Sequence, residues 1–462
     1  MRILSSSIIL VSFFVNLGLF APPTLSVDIQ DNQAVIDYPE QITFSLKASG
    51  DEVIEDVELI FGTDVITCGD NLTRAFPEDY QPTKEVDVEW EWTLRRSGAL
   101  PPGTQVWWEW KLTDEQGSEF RTPRQTMVFT DESIPWQTYY SDSLEINWID
   151  GNEAFARELA NAGEKALDSL FEITGVEIVE VVRVYIYPNS EEMQTATLFA
   201  PDWSGGIAFP PYRTVLAGVS PSSLSWGREV VAHELTHVLI GVYTFSCVSD
   251  LPTWLDEGLA MYGESSVGTS HADDYTRLEE AVENDTLLTV REVSGIFSND
   301  PDLARQAYAQ SLSLVEFLIE EYDQEDMLAL LDAFSDGYSQ DQALSEVYGL
   351  DQDSLYTAWR EYIGAAPLKG TPVPKVTPTR TPFPTMPPIT GPSAAATLTP
   401  TAVEEIAAAA PTATKTQPEE ETVPEVEKSE PARLPLMIVG GGVLVVLIVT
   451  GVVLITKKRS TS

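Results

Sequence analysis

The early part of the chain alternates apolar and polar residues at every second position, which is the period of a β-strand. Over residues 86–94, five apolar residues share one face and three acidic residues share the other, and residues 106–112 repeat the pattern. Turn sequences such as Pro-Pro-Gly at residues 101–103 separate the runs. About 100 residues of this kind predict an all-β, immunoglobulin-like sandwich over residues 27–131. Its tryptophans are assigned to the core, with a sugar-binding face as the alternative.

Beyond residue 132 the apolar period becomes that of an α-helix. Five apolar or small residues fall on one helical face between residues 155 and 170, and an apolar strand follows at residues 182–187. Residues 278–363 are predicted to be mostly helical. This mixture of elements predicts an α+β domain over residues 132–366.

The two ends of the chain have compositions that differ from the interior. Residues 1–26 carry an early arginine and a long apolar run, which predict a signal peptide, with an uncleaved anchor as the alternative. Residues 367–433 are rich in Pro, Thr and Ala and predict a disordered stalk. Residues 434–456 are long and apolar enough to predict a transmembrane helix, and the cations that follow predict a cytoplasmic tail at 457–462. We therefore expect a single-pass protein of the cell membrane with its large N-terminal part outside.

The net charge of the chain limits the classes of partner that it can bind. The formal net charge of -45 disfavours nucleic acid and anionic membrane surfaces, because both would repel a field of that sign. The sequence makes no prediction about the oligomeric state.

The chain contains two cysteines, Cys68 and Cys247. An exported protein can form a disulfide between them. Two separate buried thiols are equally consistent with the sequence, because spacing along the chain does not show whether the residues meet.

The strongest chemical signal is an H-E-x-x-H motif, in which His233 and His237 flank Glu234. Histidines four residues apart project from the same face of a helix, so both imidazoles can bind one cation. Glu234 stands beside the first histidine, where it can take a proton from a water molecule. The chain has only three histidines, so a chance match is a poor explanation. We expect this helix to run from an N-cap at Ser225 to a stop at Gly241.

A second segment follows at residues 251–262. Trp254, Leu255, Glu257, Gly258 and Ala260 match the pattern W-L-x-E-G-x-A. Together with the histidine motif, this segment resembles the gluzincin zinc metallopeptidases, specifically the peptidase MA-like group. The resemblance covers residues 181–363. It implies Zn²⁺ as the cofactor, Glu257 as the third zinc ligand, and close packing of the two helices at Gly258 and Ala260.

Other residues remain candidates for parts of this site. His271 and Asp256 compete as third ligands, but His271 lies in a polar stretch and is assigned to a solvated loop, and Asp256 is assigned to orienting a ligand. The resemblance implies that Tyr308, on a later helix, donates to the oxyanion, although it could instead pack against Leu312. Thermolysin-like enzymes carry an aspartate where this chain has Met261, so the groups that orient the two histidines are unassigned.

The predicted function is that of a zinc-dependent peptidase hydrolysing extracellular peptides or proteins, with Glu234 as the general base. Strands predicted at residues 205–209 and 214–217 would border the site, and a substrate backbone could add to their exposed edge. The chain lacks the G-x-M-E-N strand of the aminopeptidase branch, which favours endopeptidase action. The alternative is a non-catalytic surface binding or adhesion protein with a retained metal site, which the intact Glu234 disfavours.

Overall fold

The computed structural model describes residues 25–69, 72–200 and 204–368. The predicted stalk, membrane helix and tail, and all but the last two residues of the predicted signal peptide, lie outside this range. In the ranges given, no helix is long and apolar enough to cross a membrane.

The N-terminal part is β-rich, as the alternating pattern predicted. Seven strands form one hydrogen-bonded sheet. They are β1 (Val27–Asp37), β2 (Gln41–Thr63), β3 (Thr73–Ala75), β4 (Thr83–Thr93), β5 (Thr104–Asp114), β6 (Glu119–Arg121) and β7 (Gln125–Phe129), with one helical turn, α1 (Leu94–Ser97), after β4. In β5 every second side chain from Val106 to Leu112 is buried, so the predicted core role of its tryptophans holds for Trp108 and Trp110.

Strand β2 determines the shape of this sheet. It is 23 residues long, and its first half pairs with β1 and β4 while its second half pairs with β3 and β5. Register shifts between Ser49 and Asp56 mark the bend between the halves. Phe44 from one half then packs against Phe61 from the other, with ring centroids 5.5 Å apart. The sheet therefore folds over on itself through a continuous strand, and the predicted immunoglobulin-like sandwich of two separate sheets is not confirmed.

A second sheet begins the part that carries the histidine motif. Its strands are β8 (Gln137–Tyr140), β9 (Leu144–Trp148), β10 (Val182–Tyr187), β11 (Gly206–Phe209) and β12 (Thr214–Gly218), in the order β11-β12-β10-β9-β8. Strand β10 is parallel to both of its neighbours, and the two edge strands are antiparallel. Strand β11 is thus at an edge, beside the helix that bears the motif.

Helices make up most of the remaining described chain, as predicted. They are α2 (Glu153–Thr174), α3 (Ser190–Thr195), α4 (Leu224–Tyr243), α5 (Thr253–Ser266), α6 (Ala272–Glu283), α7 (Val290–Val293), α8 (Pro301–Glu321), α9 (Gln324–Ser335), α10 (Gln340–Val347) and α11 (Gln352–Tyr362). The five residues predicted to share one face of α2 are all buried. Because α2 carries this apolar face, it packs against α4 in a shared hydrophobic core.

Two features join the β-rich part to the helical part. Cys68 and Cys247 form a disulfide with a Cα–Cα distance of 5.6 Å, which settles a pairing that the sequence left open. Leu198, from the segment after α3, is buried in the core of the β-rich part. A cross-link between residues 179 apart in sequence restricts the unfolded chain, and by loop entropy it stabilises the folded state by about 5 kcal/mol.

Candidate metal centre and active site

Helix α4 carries the motif and differs from its predicted bounds. Ser223, not Ser225, is the N-cap, and the helix continues through Gly241 to Tyr243. A Cβ at Gly241 would lie 2.8 Å from the ring of Pro210. The glycine therefore permits a close approach of the chain before β12 and does not end the helix.

Three side chains converge between α4 and α5. The Nε2 atoms of His233 and His237 are 3.1 Å apart, and Glu257 Oε2 lies 3.5 Å from the first and 3.6 Å from the second. Potential ligand atoms of all three residues lie within 4.8 Å of one another. Across the described ranges, no other group of three or more His, Cys, Asp or Glu side chains has this spacing. The structure thus brings together the two histidines and the glutamate that the sequence singled out.

Two further carboxylates face the far sides of the imidazole rings. Glu264 Oε1 lies 2.7 Å from His233 Nδ1, and Asp256 Oδ1 lies 3.0 Å from His237 Nδ1. An ionised carboxylate only accepts hydrogen bonds, so the bond with Glu264 favours the proton on His233 Nδ1 and leaves a lone pair on its Nε2, whereas Asp256 approaches His237 Nδ1 without hydrogen-bond geometry. Asp256 nonetheless sits where it can orient a ligand, as expected.

Glu264 is a residue of the site that was not predicted from the sequence. It follows Glu257 by seven residues on α5, which is two helical turns, so both carboxylates project from the same face of that helix. This spacing could have predicted the position of Glu264, because the face of α5 that carries Glu257 has to point towards the two histidines.

The donor set fits a divalent cation. Two Nε2 lone pairs and a carboxylate oxygen point into one space, where they repel one another unless a cation lies between them. Glu257 Oε2 is also buried without a hydrogen-bond partner, which is costly for a carboxylate oxygen. Two imidazoles and one carboxylate are typical ligands of zinc in hydrolytic sites.

Glu234 lies between the cluster and the edge strand β11. A Cβ at Gly206 would lie 2.7 Å from both Cγ and Oε1 of Glu234, so only glycine allows the strand to pass this close. Burial raises the pKa of Glu234, while the neighbouring imidazoles of His233 and His237 lower it. A carboxyl group whose pKa is raised in this way is a stronger base than a solvated one and can return the proton that it accepts.

Strand β11 offers backbone groups for hydrogen bonding beside Glu234. Gly218 N donates to Gly205 O, so the alternation of an antiparallel ladder turns the N–H and C=O groups of Gly206 and Ala208 away from β12. In the part of the chain that the structure describes, β11 pairs with a strand on one side only. The Gly206 carbonyl accepts from Ser204 Oγ, and the remaining outward groups face the open edge.

Helix α5 packs closely on two neighbours, α4 and the helix that carries Tyr308, α8. A Cβ at Gly258 would lie 2.4 Å from Ser311 O, so this glycine lets α5 pack closely on α8. Gly263, and not Gly258, makes the close approach between α5 and α4, where its Cβ would meet Thr236 Oγ1. The prediction that Gly258 lets α5 pack closely on α4 is therefore wrong, because Gly258 faces α8.

The surroundings of Tyr308 keep its phenol protonated. Its ring packs edge-on against Phe297 with centroids 5.1 Å apart. Burial, followed by the charges of Glu257 and Glu234, raises the pKa of Tyr308. The phenol is thus a hydrogen-bond donor close to the carboxylates of the site.

His271 does not join the cluster. It was assigned to a solvated loop, but only 6% of it is exposed, and its Nδ1 lies 3.1 Å from Asp274 Oδ2. The polar sequence around it misled the prediction, because the residue immediately precedes α6 and turns inward at the start of that helix.

Comparison with known proteins supports a metallopeptidase. The model of the Peptidase MA superfamily matches residues 162–365, which include α4, α5 and α8. No curated protein matches the chain.

Similar solved structures include peptidases. They are catalytically inactive OgpA from Akkermansia muciniphila in complex with an O-glycopeptide substrate (9% identity, TM-score 0.20, 24% of this chain and 30% of that chain), an M1 zinc metallopeptidase from Deinococcus radiodurans (13%, 0.33, 72% and 94%), and Legionella pneumophila aminopeptidase A in complex with aspartic acid (14%, 0.36, 74% and 50%). This chain thus spans less than a third of the length of the first of these.

Proposed function

We propose that this chain is a zinc-dependent peptidase that hydrolyses extracellular peptides or proteins. The observation that carries the proposal is the convergence of His233, His237 and Glu257 beside a buried Glu234 at the open edge of β11. A site that only stabilised a fold would need the three ligands but would have no use for a fourth group that can carry a proton.

His233, His237 and Glu257 would hold the zinc ion, with Glu264 and Asp256 fixing the orientation of the two imidazoles. When bound, zinc supplies acidification of a water molecule and polarisation of the substrate carbonyl. Glu234 accepts the proton from the attacking water and returns it to the leaving amine. Burial raises the pKa of Glu234, which makes its carboxylate a stronger base for the first of these transfers.

Tyr308 is proposed to donate a hydrogen bond to the oxygen that gains negative charge as water attacks the carbonyl. A phenol held protonated by burial and by neighbouring carboxylates can stabilise an oxyanion without itself becoming charged. The outward backbone groups of Gly206 and Ala208 would hold an extended substrate as an added strand.

Endopeptidase action is favoured over aminopeptidase action. The segment from Gly205 to Pro210, which contains β11, runs along α4 with Gly205 beside Trp226 and Pro210 beside Gly241, so it extends on both sides of Glu234. An extended chain can therefore continue past the reacting bond in both directions, and no acidic G-x-M-E-N segment is present to fix a free amine.

We also propose that the peptidase acts outside the cell, held at the membrane by one helix over residues 434–456. The support is the apolar character of that segment, the export signal over residues 1–26 and the Cys68–Cys247 disulfide, which suits an oxidising compartment. The stalk over residues 367–433 would hold the catalytic part away from the bilayer.

Incubation of the purified chain with a mixed peptide library tests the function. Cleavage should be abolished by a chelator and restored by zinc, and Glu234→Gln should lower the rate by about a thousandfold while retaining the metal. Cleavage that survives chelation or Glu234→Gln would overturn the mechanism. Bound zinc without cleavage of any substrate would favour the alternative, a surface binding protein with a retained metal site.

A further inference from the structure

An exposed tryptophan stands on the metal-binding face of α4. Trp226 precedes His233 by seven residues, which is two helical turns, so it lies within about 20° of His233 around the helix and about 10 Å away along its axis. It keeps 37% of its surface exposed. The core-facing side of α4 is formed by other apolar side chains, such as Val231, Leu235 and Leu239, which are buried.

The ring of Trp226 also lies against the start of the edge strand. A Cβ at Gly205 would lie 2.5 Å from Trp226 Cζ2, so the glycine lets the indole pack directly on the backbone that leads into β11. Val230 fills the space between, because a Cβ at Gly206 would lie 2.7 Å from both its Cγ1 and Glu234 Oε1. Trp226, Val230 and Glu234 thus follow one another on α4 alongside the segment that leads into β11.

An extended peptide rises about 3.3 Å per residue, so the 10 Å between Trp226 and His233 corresponds to about three residues. From this geometry we infer that Trp226 is a specificity-determining residue, which receives an aromatic or large aliphatic substrate side chain about three residues from the bond that is cut. This inference rests on the proposed function, because it takes the substrate to lie along β11. The recognised chemistry is apolar, since an indole consists mainly of apolar ring surface.

Binding to Glu234→Gln protein tests the subsite without requiring catalysis. We would use the full chain loaded with zinc and a set of extended peptides of glycine and serine, each with one phenylalanine moved from the fourth position before the chosen bond to the fourth position after it. One phenylalanine position, about three residues from the bond, should bind about tenfold more tightly than the peptide with glycine there. Adding Trp226→Ala should remove that preference, and Trp226→Phe should restore most of it.

In the protein that retains Glu234, the same preference should appear in KM with little change in kcat, because an aromatic contact remote from the reacting bond is made equally before and during reaction. Tyr140→Ala is the matched control. Tyr140 is 66% exposed on β8, the opposite edge of the same sheet, and its loss should leave the preference intact.

Three outcomes would overturn the inference. The phenylalanine preference could persist in Trp226→Ala, all peptides could weaken equally together with zinc content, or the preference could require a sugar on the peptide. Cleavage without Trp226 dependence removes the subsite and leaves the peptidase. Trp226-dependent binding in Glu234→Gln, with no cleavage by the protein that retains Glu234, removes the peptidase and leaves the subsite.

Discussion

The β-rich part and the metal centre bury different kinds of side chain. The β-rich part is stabilised by alternating apolar side chains. In its aromatic core, the ring centroids of Phe44, Trp90 and Trp92 each lie within 5.5 Å of the ring centroid of Phe61. The metal centre instead buries imidazoles and carboxylates. Burial of apolar groups stabilises the fold, whereas burial of ionisable groups costs free energy unless they are paired or bind a metal. Changes in the first region should therefore alter stability, and changes in the second should alter metal binding and rate.

The largest effect is expected at the third ligand. Glu257→Ala removes one of three donors and should weaken zinc binding on the order of a thousandfold. His271→Ala is the control, because His271 is a buried histidine outside the cluster and should leave zinc occupancy nearly unchanged. Metal analysis of the two dialysed proteins compares them. Greater loss of zinc in His271→Ala would reassign the ligand.

The β-rich part should show the reverse behaviour. Phe61→Ala leaves a cavity among aromatic rings and should lower the free energy of unfolding by about 4 kcal/mol, as measured in urea. Val35→Ala, at a side chain that is 60% exposed, should change it by less than about 0.5 kcal/mol. The folded Phe61→Ala protein should still bind zinc at one equivalent. Loss of zinc from that folded variant would break the separation between the two regions.

Tyr308 sharpens the comparison within the catalytic part. Tyr308→Phe removes the phenol but keeps the ring on Phe297, so stability and zinc content should be unchanged. If the phenol stabilises the oxyanion, kcat should fall about a hundredfold with KM nearly constant. An unchanged kcat would assign the donor elsewhere.

The smallest expected effect lies at the carboxylates that orient the imidazoles. Glu264→Gln should weaken zinc binding by about 10- to 100-fold, because the amide no longer favours the proton on His233 Nδ1. Asp256→Asn should weaken zinc binding less than Glu264→Gln does, since Asp256 is more exposed and its contact with His237 is longer. Competition with a zinc chelator ranks the two. The opposite order would show that His237 depends more on its carboxylate.

Sequence periodicity predicted local structure well and long-range arrangement poorly. The faces of β4 and β5 and the helix α2 followed from apolar spacing, because burial acts on each element separately. The course of β2 did not, because its bend near Gly50 depends on which strands pair with each half.

The site shows the same division. The H-E-x-x-H motif predicted the two histidines, since their chemistry restricts both residue type and spacing, and the resemblance to the gluzincins implied Glu257. Neither predicted the disulfide at Cys247 or that Gly258 packs on α8, because both depend on elements distant in sequence. Glu264 was not predicted, although its spacing of two helical turns after Glu257 indicated that it faces the same site.

Anomalous diffraction at the zinc absorption edge, from crystals of the chain with zinc, tests the central claim most directly. One ion is expected between α4 and α5, within about 2.0–2.3 Å of His233 Nε2, His237 Nε2 and a carboxylate oxygen of Glu257. An ion bound without Glu257, or no ion at the histidine pair, would contradict the account.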